Sequence, residues 1–123
     1  MWNDTAPTSS VFSLKTSTSV NGSSADYIAY LWTEKQGFSK FGSYIGNAND
    51  DGTFIYTGFR PAYVMLKRTG PSYGEAWNIT DNKRVVEHNP TGYFLYANTS
   101  GAESGSTTHS ATDLLSNGFK LRD

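Results

Sequence analysis

The sequence predicts an all-β fold, an antiparallel two-sheet β-sandwich of jelly-roll or lectin-like type with little or no helix. Three observations carry that expectation. Apolar residues recur at period 2 or in short runs of Val, Ile, Tyr, Phe and Trp, and no helical period lasts three turns. Glycine occurs 12 times in 123 residues beside 3 Trp, 8 Tyr and 7 Phe, a composition that suits strands joined by many turns. Asn-Gly pairs at Asn21-Gly22 and Asn117-Gly118 mark tight hairpins, because both residue types accept the positive φ of a type I′ turn.

Taken in order, residues 1–10 (MWNDTAPTSS) read as a loose polar lead-in to a single domain spanning 1–123. Residues 11–15 (VFSLK) place Phe12 and Leu14 on one face, as a half-buried strand does. Residues 26–34 carry Tyr27, Ala29 and Leu31 on one face and Ile28, Tyr30 and Trp32 on the other, so this strand belongs in the middle of something. Gln36-Gly37 turns the chain into a strand over 38–45 with a bulge at Gly42. Asp51-Gly52 and Thr57-Gly58 bracket a strand over 53–56, and Pro61 opens another over 62–68, where the first residue owes the ladder no N–H. Short strands follow at 75–80, at Val85-Val86 and at 92–97. Residues 98–112, rich in Gly, Ser and Thr, read as a long mobile loop, and 113–123 closes the chain with Phe119 and Leu121 inward.

Composition excludes several classes. With no cysteine there is no disulfide and no thiolate metal site. A net charge of −1 without a basic face or a basic amphipathic helix argues against nucleic acid and membrane surfaces, and no apolar run approaches the ~20 residues of a membrane span. His88 and His109 sit in polar stretches without clustered carboxylates, so neither a metal nor any other cofactor is expected. Glu34, Glu75, Glu87 and Glu103 lie on separate elements, and hydrolysis of a glycoside needs two carboxylates facing one cleft. The expectation is a protein that is not an enzyme.

Two groups of residues invite a binding role. Tyr73, Trp77, Asp81, Arg84 and His88 mix aromatic faces with planar hydrogen-bonding groups, the combination a sugar ring requires, although Trp77 also suits a core and Asp81 and Arg84 a solvated turn. Tyr30 and Trp32, with Trp2, form a contact surface for another copy or domain if nothing inside the fold covers them. The stretch 47–52 (NANDDG) alternates oxygen ligands before a Gly, as a calcium loop does, but position 12 of such a loop is Gly58 here, so a hairpin turn is the simpler reading.

Phe12-Ser13-Leu14-Lys15 and Phe119-Lys120-Leu121-Arg122 repeat the pattern Phe-x-Leu-basic, as one unit of a tandem array would. Tyr56-Thr57-Gly58-Phe59-Arg60-Pro61-Ala62, residues 114–122 (LLSNGFKLR), Tyr27-Ile28-Ala29-Tyr30 and residues 37–44 (GFSKFGSY) together resemble an uncharacterised domain of tail and tail-fibre-like structural proteins of bacteriophages, especially marine ones, often beside laminin-G-like or concanavalin A-like sandwiches. The resemblance implies a virion protein that binds host-surface glycan or protein, or that packs on neighbouring virion subunits or copies of itself. It implies no catalytic residue.

Overall fold

The structure, a computed structural model, describes residues 5–70, 76–84, 89–105 and 111–122. Trp2, Tyr73, Glu75, Val85, Val86, Glu87, His88 and His109 lie outside the described residues. The chain falls into two compact units, Met1–Trp32 and Thr33–Asp123.

The first unit is built from turns. Thr8 Oγ1 accepts the N–H of Val11 at 3.0 Å while the Thr8 N–H donates to the Val11 carbonyl at 2.9 Å, so the start of 11–15 is spent on a local turn and does not extend into a strand. A single helical turn, α1 (Thr18–Asn21), replaces the type I′ hairpin expected at Asn21-Gly22. Its reason is the phenol of Tyr27, which donates to the Thr18 carbonyl at 2.6 Å and accepts the Gly22 N–H at 2.9 Å, satisfying the end of the turn from both sides. A Cβ on Gly22 would lie 2.9 Å from that phenol oxygen, so glycine is required for close approach and not for positive φ.

Beyond Tyr27 the expected two-faced strand does not form. Among the described residues Ile28 to Trp32 make no hydrogen bond, and Ile28, Tyr30, Leu31 and Trp32 are 71–82% exposed. Period 2 supplies two apolar faces, but a strand also needs a ladder partner, and this unit offers none among the described residues.

The second unit holds seven strands among the described residues, all paired antiparallel. β1 (Phe54–Tyr56), β6 (Thr112–Leu115) and β7 (Gly118–Leu121) form one sheet in the order β1-β7-β6. β2 (Tyr63–Leu66), β3 (Asn78–Asp81), β4 (Tyr93–Tyr96) and β5 (Ser104–Gly105) form the other in that order. Direct cross-strand partners share a face, so the register sorts the side chains. Val64 opposite Thr80 and Leu114 opposite Phe119 are the inner faces; Ile55, Leu66 and Leu121 pack around Val64, Leu114 and Phe119 to make the core between the two sheets. At one side Thr91 and Thr112 exchange two backbone bonds of 2.8 Å, and the buried Thr91 hydroxyl meets that of Thr80 at 2.9 Å, which joins β3, β4 and β6. The nearly all-β, two-sheet antiparallel arrangement is the one the sequence predicts.

Several boundaries differ. Lys35 and Ser39 exchange backbone bonds around Gly37, whose φ is 74°, and the Glu34 carboxylate takes the Phe41 N–H at 2.9 Å; these local bonds consume donors that a strand over 38–45 would need. Residues 104–105, inside the stretch read as a loop, pair with β4, and Ala111 and Thr112 at its end are buried. The last hairpin turns on Ser116 and Asn117, not on Asn117-Gly118: Leu115 pairs with Gly118, which already belongs to β7. Gly118 is needed there because a Cβ would collide with the Ile55 carbonyl and lie 2.9 Å from the Phe54 ring.

Candidate functional site

The outer face of the three-stranded sheet mixes charged side chains with the exposed rings of Phe54 and Tyr56. On the three-stranded sheet, Asp113 pairs with Lys120 and Lys120 with Phe54, and the charges close into a net. Arg122 Nε and Nη2 each hold Asp113 Oδ2 at 2.6 Å, Lys120 Nζ bonds Asp51 Oδ1, and Arg122 Nη1 lies 3.7 Å from Asp51. The Lys120 hydrogen bond, then its charge, hold the Asp51 carboxyl below its ordinary range.

That net bears on the loop 47–52. Asn49 Oδ1 accepts the Asp51 N–H at 2.8 Å and Asn47 Nδ2 donates to the Asp51 carbonyl at 2.9 Å, while two cationic side chains stand at the Asp51 carboxylate. The oxygens a calcium ion would want are turned into loop closure and ion pairs. Among the described residues no cluster of His, Cys, Asp and Glu fit to hold a metal ion is found.

The four-stranded sheet carries a row of aromatic and aliphatic side chains on its outer face. Tyr63 pairs with Asp81, and Met65 with Ile79, which pairs with Leu95; Trp77 and Tyr93 continue the same parity. Tyr63, Trp77, Tyr93 and Leu95 are exposed there, Trp77 at 39%. On the other side of this sheet a cavity of about 200 Å³ opens between the layers, lined by Leu66, Asn78, Phe94, Ala111 and Leu121 among others.

Of the residues proposed for a sugar, the structure brings Asp81 and Arg84 together. Arg84 Nε donates to Asp81 Oδ2 at 2.6 Å, Nη1 to Glu103, and Nη2 to the carbonyls of Ile79 at 3.1 Å and Tyr93 at 3.4 Å. Asp81 Oδ1 meanwhile accepts the N–H groups of Lys83 and Arg84 at 2.8 and 3.1 Å. Burial pushes the Asp81 carboxyl up, but the Arg84 hydrogen bond, the two backbone N–H groups and the Arg84 charge outweigh it and hold it low. The guanidinium is thus a clamp across β3, β4 and the residue before β5, with its donors committed inside the fold. Trp77 sits four residues back along the strand, roughly 13 Å away at ~3.3 Å per residue, its N–H bonded to Asn98 Oδ1 at 2.8 Å. Tyr73 and His88 lie outside the described residues.

Of the contact residues, Tyr30 and Trp32 stack with centroids 6.2 Å apart and stay exposed, while Trp2 lies outside the described residues. Phe38, Phe41 and Ile45 of the second unit are likewise exposed, Ile45 at 88%. Sequence reasoning missed Glu103 as the third member of the clamp, and missed that Tyr63, Met65, Tyr93 and Leu95 share one face with Trp77. The two-faced patterns of 62–68 and 92–97 were the available signal; what they lacked was the register that sets those strands side by side.

Comparison with curated proteins and with solved structures gives no match. A family model described as Domain of unknown function (DUF7483) matches residues 1–123, and the chain belongs to that family.

Proposed function

We propose that this domain is a non-enzymatic structural module whose work is association, with copies of itself or with neighbouring subunits of a larger assembly such as a phage tail or fibre. The observation that carries it is the exposure of large aromatic and aliphatic side chains, Ile28, Tyr30, Leu31 and Trp32 in one unit and Phe38 and Ile45 in the other, that nothing within their own unit covers. Buried as they are exposed, these residues are worth ~25 cal/mol per Å² of apolar area, enough to drive assembly rather than decorate it. The virion setting follows from the resemblance at residues 56–62 and 114–122 and is part of the proposal. Light scattering across a dilution series tests which partner it is: a mass above 13.5 kDa that falls on dilution supports copies of itself, and a monomer at every concentration overturns self-association and leaves neighbouring subunits.

A second reading, recognition of a host-surface glycan or protein, is favoured by the outer face carrying Tyr63, Trp77 and Tyr93. Flat aromatic faces suit sugar rings. Binding on a glycan panel that disappears in Trp77→Ala, with the fold retained, is the expected result for a glycan; no binding to any sugar removes the glycan from this reading and leaves the first reading intact.

A further inference from the structure

We infer that the end of the first unit, residues 28–32, is a site of proteolytic processing, cut by an enzyme whose specificity pocket is a deep apolar slot, and that the second unit keeps its sheets after the cut. This goes beyond the association reading and does not rest on it.

A protein that binds an extended peptide pairs with its backbone as with an added strand, so the peptide's N–H and C=O groups must be unspent. Residues 28–32 meet that condition, since among the described residues they make no hydrogen bond, and their large side chains are 71–82% exposed. Fixed points stand on either side. The Tyr27 phenol is bonded to α1, and the Thr33 carbonyl accepts the Ser39 hydroxyl at 2.6 Å. Between them Tyr30 and Trp32, two residues apart, stack on one side of the chain, as side chains of an extended backbone do. Cleavage here needs no prior unfolding, whereas a bond inside a sheet must first open.

The side chains select the class of enzyme. An apolar slot takes Tyr, Leu or Trp, and positions 30, 31 and 32 offer all three in succession, with no proline from 27 to 36 to block the cut. The rival bonds are held. The Phe38 N–H donates to the Lys35 carbonyl at 2.9 Å and the Phe41 N–H to Glu34, while Phe54 and Tyr63 lie in ladders. Tyr44 is 40% exposed, and the carbonyl of its neighbour Ile45 accepts the Thr53 hydroxyl at 2.9 Å. Hydrolysis at Tyr30 breaks its C–N bond to Leu31: water supplies the hydroxyl that makes a Tyr30 carboxyl and the proton that makes a Leu31 amine, and no other reactant is consumed. Each strand pair among the described residues, and the core around Val64, Leu114 and Phe119, lies within 33–123 and is untouched.

Brief digestion of the dilute full chain with chymotrypsin, read by mass spectrometry, tests it. The first cut should fall after Tyr30, Leu31 or Trp32 and leave a fragment beginning at Leu31, Trp32 or Thr33 that resists further digestion and keeps a β-type circular-dichroism spectrum. Tyr30→Ser combined with Leu31→Ser and Trp32→Ser should slow the first cut ~10-fold or more, because the slot loses its apolar occupant, while the urea midpoint of the dilute chain stays where it was. A first cut at any other bond, equal rates for the two chains, or loss of the β signal as the cut proceeds overturns the inference. Digestion at high concentration separates it from association: protection of these bonds as the mass rises agrees with both, and undiminished cutting in the assembled chain takes residues 28–32 out of the interface while the processing site stands.

Discussion

The β6–β7 hairpin and the stretch 27–45 have the same kind of sequence, short aromatic and aliphatic runs at strand spacing, and opposite fates. Leu114 and Phe119 face each other across a register of four pairs and meet Val64 from the other sheet, leaving Leu114 1% exposed. Trp32 and Ile45 are 71% and 88% exposed. Apolar character is common to both; what differs is a ladder partner. A hairpin brings its partner with it at the cost of a two-residue turn, whereas 27–34 and 38–45 lie beside no strand among the described residues. Alternation therefore states that a segment is to be covered, and it does not state by which molecule.

The largest expected effect separates the two regions directly. Leu114→Ala removes a fully buried side chain and should cost about 3–4 kcal/mol, whereas Trp32→Ala should shift the stability of dilute, unassociated chain by less than about 0.5 kcal/mol and weaken association instead. Urea unfolding at low and high protein concentration reads both. Gly118→Ala comes next, since its methyl group meets the Ile55 carbonyl; the expected loss is about 2–3 kcal/mol, with β1 released from β7 and its amides exchanging faster.

Smaller effects belong to the clamp. Arg84→Ala strands Asp81 and Glu103 and leaves the Ile79 and Tyr93 carbonyls without that donor, about 1–2 kcal/mol by thermal unfolding. The acid dependence has a definite sign. The Asp81 carboxyl is depressed in the folded chain, so its contribution is present above the unfolded carboxylate value near ~4 and is lost as pH falls through the folded value. Asp81→Asn should therefore cost stability at neutral pH and flatten the loss on acidification; an unchanged acid profile would show that the clamp contributes nothing.

The sequence made the sheet strands legible where a turn and its two strands are contiguous. Residues 54–56, 63–66 and 93–96 fall within the stretches read as strands, and Phe119 and Leu121 in the closing stretch 113–123 face inward as their alternation requires. It was less legible where one side chain redirects the backbone: the Tyr27 phenol turns Asn21-Gly22 into a helical turn, and Glu34 captures the Phe41 N–H. Asp81 and Arg84 were picked out as partners for a ligand, because spacing of three shows that they meet but not that Glu103, 19 residues later, and two carbonyls complete the set. The outer aromatic face was hidden for a related reason, since its members come from three strands and only the register aligns them.

The central claim is that the exposed aromatic run at 27–32 is covered by another molecule. The chain has three tryptophans, so Trp2→Phe with Trp77→Phe leaves Trp32 as the one indole and its emission as a direct report. On raising the concentration from the dilute monomer, the account predicts a shift of that emission to shorter wavelength, in step with the rise in mass. A spectrum already blue-shifted in the monomer would place the cover inside the chain, and one that stays red-shifted through assembly would leave Trp32 out of the interface; either contradicts the claim.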